Sequence, residues 1–280
     1  MNNLQPPRLC AYWLGYRAEI DDKPTPMLKD TPDYVDVVVL AFALVRENNT
    51  IDLSFMLNPP KTAEHSIKEG IKALHDKNTK VMLSVGGWAG NCWDSVTDVS
   101  TLVDNIMKVV DDWDLDGVDI DYEGDRELDD WMKLPLCAHE GDSPPNWETL
   151  FKTLRKRLGP DRLLTAVTAG KTFYQSSLDE LSWVFTMDYG STTLYNDLTT
   201  DYLDKNPDSK FVPYVLGVSC IQPDAWGAMT VEEVKEACSV KSPVGSLCMQ
   251  FWDLSEDIEA YTNQPSGTYL KTIEDNLPKG

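Results

Sequence analysis

Residues 116–123 of the chain, DGVDIDYE, combine the alternation of a β-strand with a row of acidic side chains. Successive side chains of a strand point to opposite faces, so Asp119, Asp121 and Glu123 share one face at steps of about 6.6 Å. Val118 and Ile120 lie on the other face, where they can pack under helices. The pattern therefore predicts a buried strand that carries carboxylates to its C-terminal end.

Strand-like and helix-like segments alternate on both sides of this stretch, and several strand candidates are apolar nearly throughout, as buried parallel strands are. The predicted strands are 8–16, 34–45, 80–87, 117–123, 162–170, 183–190, 211–220 and 246–254. The predicted helices are 62–77, 100–113, 146–158, 176–181, 196–205, 230–238 and 267–276. This alternation predicts the α/β class and a (β/α)8 TIM barrel formed by residues 1–280 as a single domain. A doubly wound open sheet is the alternative that alternation leaves open.

Like charges and burial both favour the protonated carboxyl, so at least one acid of the row should have a raised pKa. A carboxyl that stays protonated near neutral pH can act as a general acid. Glu123 is the last acid of the row, and in a βα barrel the C-terminal ends of the strands carry the chemistry. Glu123 is therefore the candidate proton donor.

The same segment also satisfies a calcium-loop pattern, Asp112-x-Asp114-x-Asp116-Gly117-x₅-Glu123. Its eighth position, normally apolar, is Asp119, and a second loop to pair with it is missing. An exposed acidic strand face is a further alternative, against which the flanking Val and Ile argue. Neither alternative is favoured, and we expect no metal and no cofactor.

The overall charge excludes some classes of partner. The chain has 25 basic and 46 acidic residues, a net charge of −21, and no basic cluster of the kind that nucleic acids and anionic membranes require. No apolar run approaches about 18 residues, so no membrane span is predicted. The first residues, MNNLQPPRLC, lack the features of a signal peptide. A neutral ligand such as a sugar fits this charge.

The cysteines and histidines suggest no separate chemistry. The six cysteines show no C-x-x-C spacing, and Cys10, Cys220 and Cys248 fall in strand-like runs, where they are predicted to be buried free thiols. His65, His75 and His139 have no partner Ser or Cys motif, so no catalytic triad is predicted.

The acidic strand resembles the D-x-x-D-x-D-x-E signature of glycoside hydrolase family 18, which contains chitinases, endo-β-N-acetylglucosaminidases and inactive sugar-binding relatives. Further matches occur in the family's order along the chain. They are Ser84-Val85-Gly86-Gly87, Ala41-Phe42-Ala43, Met187-Asp188-Tyr189 and Gln250-Phe251-Trp252. One departure is Gly190, where chitinases of the family usually have Asp or Asn.

The resemblance implies a substrate-assisted reaction, in which the acetamide oxygen of the substrate attacks the anomeric carbon. Glu123 would protonate the leaving oxygen and then activate water. Asp121 would orient the acetamide, and Asp119 would share a proton or a hydrogen bond with Asp121. Tyr189 would donate its hydroxyl to the acetamide, and Asp116 would be structural.

Flat aromatic side chains are expected to stack on the apolar faces of the sugars. The resemblance implies that Trp252 is the floor under the reacting sugar and that Trp88 holds the leaving-group sugar. The other candidate substrate-binding residues are Tyr12, Phe42, Met187 and Gln250. Trp113 and Trp147 lie on helix stripes and are assigned to the core.

The resemblance implies an endo-acting hydrolase of β-1,4-linked N-acetylglucosamine in chitin or chito-oligosaccharides. The alternatives are an endo-β-N-acetylglucosaminidase acting on the chitobiose core of N-glycans, and a chitinase-like lectin without turnover. Only 25 residues, 221–245, separate the last two predicted strands, which is too few for the α+β insertion subdomain of many exo-chitinases. We expect a secreted monomer that binds carbohydrate.

Overall fold

The computed structural model describes residues 7–17, 19–57, 63–89, 91–123, 147–170, 173–187, 189–210, 212–221, 227–242 and 247–278. The strands are β1 (Leu9–Leu14), β2 (Glu19–Ile20), β3 (Lys23–Pro24), β4 (Val37–Arg46), β5 (Thr50–Asp52), β6 (Lys80–Gly86), β7 (Gly117–Asp121), β8 (Leu163–Thr168), β9 (Trp183–Thr186), β10 (Tyr214–Ser219) and β11 (Met249–Trp252). The helices are α1 (Glu64–His75), α2 (Val99–Asp112), α3 (Trp147–Leu158), α4 (Gln175–Leu178), α5 (Thr193–Lys205), α6 (Val231–Ala237), α7 (Glu259–Thr262) and α8 (Thr268–Asn276).

Parallel strands close into a barrel in the circular order β1, β4, β6, β7, β8, β9, β10, β11. Closure rests on β1, which pairs in parallel with β4 on one side and with β11 on the other. The predicted (β/α)8 barrel is therefore confirmed, and the open doubly wound sheet is excluded. The short strand β5 pairs antiparallel with the end of β4, and β2 pairs with β3 in a separate hairpin.

The connection between β10 and β11 is short. Cys220 to Cys248 span 29 residues, and their described part contains α6. An independent folded unit needs at least about 50 residues. The insertion subdomain is absent, as predicted.

The helices bury apolar stripes against the outer face of the barrel, and the resulting core includes the outward side chains of the strands together with Trp113 and Trp147. One detail differs from the sequence prediction. The predicted helix 100–113 is found as α2, which begins one residue earlier, at Val99. Asp98 is its N-cap and accepts from the backbone N–H groups of Ser100 and Thr101, because a free carboxylate before the first turn satisfies two N–H groups at once.

A second apolar cluster fills the inside of the barrel, and β1, β4, β8 and β9 all contribute side chains to it. Cys10, Cys220 and Cys248 are buried free thiols, as predicted, while Cys137 and His139 lie outside the described residues. None of the described helices combines the length and the apolar composition needed to cross a membrane.

Candidate active site

The acidic strand β7 carries its carboxylates on the inside of the barrel. Hydrogen bonding to β6 pairs Asp119 with Ser84, and hydrogen bonding to β8 pairs Asp119 with Thr165. β7 ends at Asp121, so Glu123 lies two residues further on, at the C-terminal mouth. The alternation of the sequence thus places this row of acids along one line that rises from the barrel interior to its opening.

Asp119 is fully buried and is held by three hydroxyl groups. Its Oδ2 accepts from Tyr12 at 2.8 Å and from Ser84 at 2.7 Å, and its Oδ1 accepts from Thr165 at 2.7 Å. Burial raises the pKa of Asp119, and the three hydrogen bonds oppose that rise. The described hydrogen-bond partners of Asp119 are these three hydroxyls, and a proton or hydrogen bond shared with Asp121 stays a prediction.

Asp121 and Glu123 have raised pKa values that no described hydrogen bond opposes. Asp121 is buried and its Oδ1 has no hydrogen-bond partner among the described residues. Burial, then the charges of Glu123 and Asp119, raise the pKa of Asp121 well above its ordinary value. Burial raises the pKa of Glu123 to about 7. A carboxyl that titrates near neutral pH at the mouth of the barrel can donate a proton and later accept one.

The two glycines that end β6 allow the backbone of that strand to approach β7. Gly86 has φ +122°, and a Cβ there would lie 1.9 Å from the carbonyl oxygen of Asp121. The N–H of Gly87 donates to the same oxygen at 2.7 Å. A Cβ on Gly87 would lie 2.5 Å from the ring of Phe42. These glycines therefore fix the end of the acidic strand and the aromatic ring beside it.

Trp252, at the end of β11, forms an aromatic floor with two buried rings. The Phe42 ring is stacked on Trp252 with centroids 5.8 Å apart, and the Tyr12 ring lies 5.2 Å from Trp252. Trp252 keeps part of its surface open, whereas Phe42 is completely buried. Phe42 therefore supports the Trp252 ring from below, and the direct contact with a sugar that was expected for Phe42 stays a prediction.

Tyr189 completes the site on the side opposite β6. Burial, then the charges of Asp121 and Glu123, raise the pKa of Tyr189 well above its ordinary value, so its hydroxyl keeps its proton. A contact with Gln250 opposes this rise. Gln250 is completely buried on β11 and lies behind Tyr189. Gln250 is not among the residues that line the pocket, and its expected contact with substrate stays a prediction.

One pocket of about 240 Å³ brings these groups together. The predicted site residues that line it are Tyr12, Trp88, Asp121, Glu123, Met187, Tyr189 and Trp252. Asp119, Phe42 and Gln250 lie beneath this lining. The volume is below the roughly 300 Å³ of the smallest pockets for drug-sized ligands, so the described walls enclose space for a small ligand or a short part of a larger one.

Further residues line the same pocket without having been predicted from the sequence. They are Tyr16, Arg17, Val167, Ile221, Glu256 and Tyr261. Val167 lies on β8, Tyr16, Arg17, Ile221 and Glu256 follow the ends of barrel strands, and Tyr261 lies in α7. The general position of active sites in βα barrels could have marked them as candidates, but no local motif sets them apart.

Asp116, the first acid of the signature, has a structural position outside the barrel interior. Its Oδ2 accepts from the N–H of Val81 at 2.8 Å and lies 2.9 Å from Nε2 of His75. Asp116 therefore ties the start of β7 to β6 and α1. A calcium loop is excluded for this segment, because residues 117–121 are a strand paired on both sides. The described residues contain no group of three or more His, Cys, Asp or Glu side chains able to hold a metal ion.

Gly190 takes the place of the usual Asp or Asn and has φ +81°. A Cβ built on Gly190 would lie 3.5 Å from the carbonyl oxygen of Ala228. Residues other than glycine rarely adopt this conformation. The chain after Tyr189 therefore follows a path that suits glycine, and the polar side chain usual at this position is absent.

Comparisons with known proteins agree with this geometry. Over 160 residues the chain is 32% identical to Exochitinase 1 of Streptomyces olivaceoviridis, a match that covers 52% of this chain and 25% of that protein. Over 153 residues it is 28% identical to a probable class II chitinase of Arthroderma benhamiae, covering 52% of this chain and 46% of that protein. The chain thus spans less than half the length of either relative.

Among solved structures, the fold is similar to a GH18 chitinase from Pseudoalteromonas aurantia. The TM-score is 0.69 at 21% identity, with 96% of this chain and 100% of the other covered. At this identity the likeness shows a common barrel fold. The sequence profile of Glycosyl hydrolases family 18 matches residues 8–216, which include the acidic strand and the aromatic rings packed beside it. The chain therefore belongs to glycosyl hydrolase family 18.

Proposed function

We propose that the chain is an endo-acting hydrolase of β-1,4-linked N-acetylglucosamine, with chitin or chito-oligosaccharides as substrate. The observation that carries the proposal is the pairing, in one pocket, of a carboxyl that titrates near pH 7 with an aromatic floor. The carboxyl supplies a proton where a glycosidic oxygen leaves, and the floor fits the apolar face of a sugar ring.

The reaction we propose is substrate-assisted and retains the anomeric configuration. The acetamide oxygen of the substrate forms a bond to the anomeric carbon while Glu123 gives its proton to the leaving oxygen. Glu123, now ionised, takes a proton from the water that opens the resulting oxazolinium ring. The configuration is inverted twice and is therefore retained. The test is proton NMR of fresh product, where an initial α-anomer from a β-linked substrate would refute this route.

Asp121 and Tyr189 would hold the acetamide during this reaction. Asp121 keeps a proton and an unpartnered oxygen in the empty site, so it can form a hydrogen bond with the acetamide N–H without breaking another one. The Tyr189 hydroxyl also keeps its proton and can donate to the acetamide carbonyl. Asp119, held by three hydroxyls, would fix the position of the strand below Asp121.

The short connection between β10 and β11 supports endo-type cleavage. Without an insertion subdomain the cleft lacks one high wall, and an open cleft does not hold a chain end tightly. On a soluble chitin polymer we expect viscosity to fall before much reducing sugar appears. Because one relative is named an exochitinase, this measurement decides the mode of attack. Steady release of disaccharide with little loss of viscosity would overturn the endo assignment.

The substrate test is incubation with N-acetylglucosamine oligomers and, separately, with a glycoprotein, followed by mass spectrometry of the products. Shortened oligomers support the proposal. Release of glycans cut within the chitobiose core would instead identify an endo-β-N-acetylglucosaminidase. Glu123→Gln should bind the oligomers but lose at least about 10²-fold in turnover. Binding without turnover by the unmodified chain would identify a lectin.

We further propose that the chain acts outside the cell, as a monomer with one catalytic domain. A chitin polymer is too large to enter a cell, so its hydrolysis requires export. Assay of the culture medium against the cell fraction tests the location. Size-exclusion chromatography with light scattering tests the monomer, for which a mass near 31.5 kDa is expected.

A further inference from the structure

The turn between β4 and β5 carries the tripeptide Asn48-Asn49-Thr50, none of whose residues line the catalytic pocket. An Asn followed two positions later by Thr, with a residue other than Pro between them, is the acceptor pattern for N-linked glycosylation. The sequence contains no second copy of this pattern. A tripeptide of this kind also occurs by chance, so the case for a modified asparagine depends on the structure around it.

The two asparagines of the turn have opposite environments. Asn49 is 8% exposed, and its Oδ1 accepts from the backbone N–H groups of Thr97 and Asp98 at 2.8 and 3.0 Å. The carbonyl oxygen of Asn49 accepts from the side chain of Asn105 on α2 at 2.9 Å. Asn48 is exposed, and its side chain has no hydrogen-bond partner among the described residues. The fold therefore anchors the middle residue of the tripeptide and leaves the acceptor amide open to solvent.

The turn is held together without the side chain of Asn48. Asn48 has φ +60° and ψ +29°, in the left-handed region that Asn adopts more readily than most residues. Antiparallel pairing continues to Arg46 and Thr50, and Arg46 forms an ion pair with Asp52 at 3.1 Å. The hydroxyl of Thr50 donates to the carbonyl oxygen of Glu47 at 2.9 Å. A sugar attached to the amide of Asn48 would therefore displace no described hydrogen bond.

The position of the turn also separates such a glycan from the cleft. Asn105, which holds the turn through Asn49, belongs to α2, a helix of the outer layer of the barrel. The pocket is lined by none of residues 46–50. An N-linked glycan is bulky and must remain in solvent. Attached at Asn48, it would leave the mouth of the barrel open.

We propose that Asn48 is a site of N-linked glycosylation, with a lipid-linked oligosaccharide as the donor. The amide nitrogen of Asn48 forms a bond to the anomeric carbon of the donor, the lipid diphosphate leaves with the bonding electrons, and the nitrogen gives up one proton. The inference rests on the proposed location outside the cell, since the transfer accompanies entry into a secretory lumen. The acceptor asparagine must also stay on the surface of the folded chain, a condition that Asn48 meets and Asn49 does not.

The experiment expresses the whole chain behind a signal peptide in a eukaryotic cell and measures the mass of the protein taken from the secretory lumen. We expect the mass to exceed that of the chain by one oligosaccharide. Treatment with a peptide-N-glycosidase should remove the excess and convert Asn48 to Asp, which mass spectrometry of the digested peptides locates. Asn48→Gln and Thr50→Ala should each abolish the excess mass, whereas Thr50→Ser should keep it, because the pattern accepts either hydroxyl. These readouts do not require the variants to fold.

Asn78 provides a matched control. It is exposed and has φ +62°, as Asn48 does, but Lys80 stands two positions later in place of Ser or Thr. Asn78→Gln should leave the glycan unchanged.

Two results would overturn the inference. They are an unmodified mass for the protein of the lumen, and an oligosaccharide that persists in Asn48→Gln. Either result leaves the proposed hydrolase function intact. A glycosylated protein that fails to cleave N-acetylglucosamine oligomers, and fails equally after the glycan is removed, would instead refute the proposed function and support the modification site.

Discussion

Replacing Glu123 with Gln should stabilise the protein at alkaline pH while it removes activity. Burial raises the pKa of Glu123 from 4.5 to about 7, so the ionised side chain is less stable in the folded site than in the unfolded chain. A group with a raised pKa in the folded state favours folding below its unfolded pKa, and that contribution is lost as pH rises through the folded value. The stabilising effect of the substitution is therefore expected to develop between pH 4.5 and pH 7.

The size of the effect follows from the two pKa values. The pKa rises from 4.5 to about 7, and at about 1.36 kcal/mol for each pKa unit this gives roughly 3 kcal/mol when Glu123 is fully ionised. Glu123 keeps some solvent contact at the cleft, and screening lowers this figure to about 2–3 kcal/mol. For a chain of this size, that corresponds to an increase in Tm of roughly 5 °C.

The assay is unfolding of the unmodified protein and of Glu123→Gln at pH 4 and at pH 8. The difference in unfolding free energy between the two proteins should be about 2–3 kcal/mol larger at pH 8 than at pH 4. Glu64→Gln is the control, because Glu64 is an exposed acid whose pKa is lowered, chiefly by a hydrogen bond from Lys68. It should show no gain at pH 8. A difference between the proteins that does not change with pH would refute the assignment of a buried, proton-holding Glu123.

Three further outcomes test the site and its supports. Because Glu123 must be protonated to act as the acid, kcat/KM should fall as pH rises above about 7, and a rate that stays constant to pH 9 would contradict this role. Thr165→Val removes one of the three hydroxyls on the buried Asp119 carboxylate and should cost about 1.5–3 kcal/mol in urea unfolding. Gly87→Ala should destabilise the fold more than Gly159→Ala. Both glycines have positive φ, but only Gly87 has a neighbouring ring within 4 Å. Equal losses of stability would mean that the strained backbone, and not the contact with the ring, accounts for the cost.

The strands and the longer helices of the barrel can be predicted from the sequence because local periodicity determines them. The row from Val118 to Glu123 alternates between the two faces as expected, and the predicted helix 146–158 is found as α3. Closure could not be predicted in this way, since it depends on pairing between β1 and β11, which are more than 230 residues apart along the chain. The two-residue strands β2 and β3 are too short to show a period.

The candidate site also contains residues that local sequence patterns predict and residues that they do not. Asp121, Glu123 and Trp252 belong to motifs, and the structure brings them into one pocket. The depth of a side chain inside the barrel is harder to predict. Alternation places Gln250 on the same inner face as Trp252, but it does not show that Gln250 lies deeper in the barrel interior than Trp252. The ion pair between Arg17 and Glu256 has no local signal at all, since its partners meet only when the barrel closes.

The distribution of charge at the mouth of the barrel explains why one acid among several is suited to proton transfer. Burial raises the pKa of Asp119 and of Glu256, while three hydroxyls oppose that rise at Asp119 and Arg17 opposes it at Glu256. Asp121 has no such partner, and burial beside two other acids keeps it protonated. Glu123 differs because burial alone moves its pKa, and moves it only to about 7, so it is the acid of this set that can both lose and regain a proton during one reaction cycle.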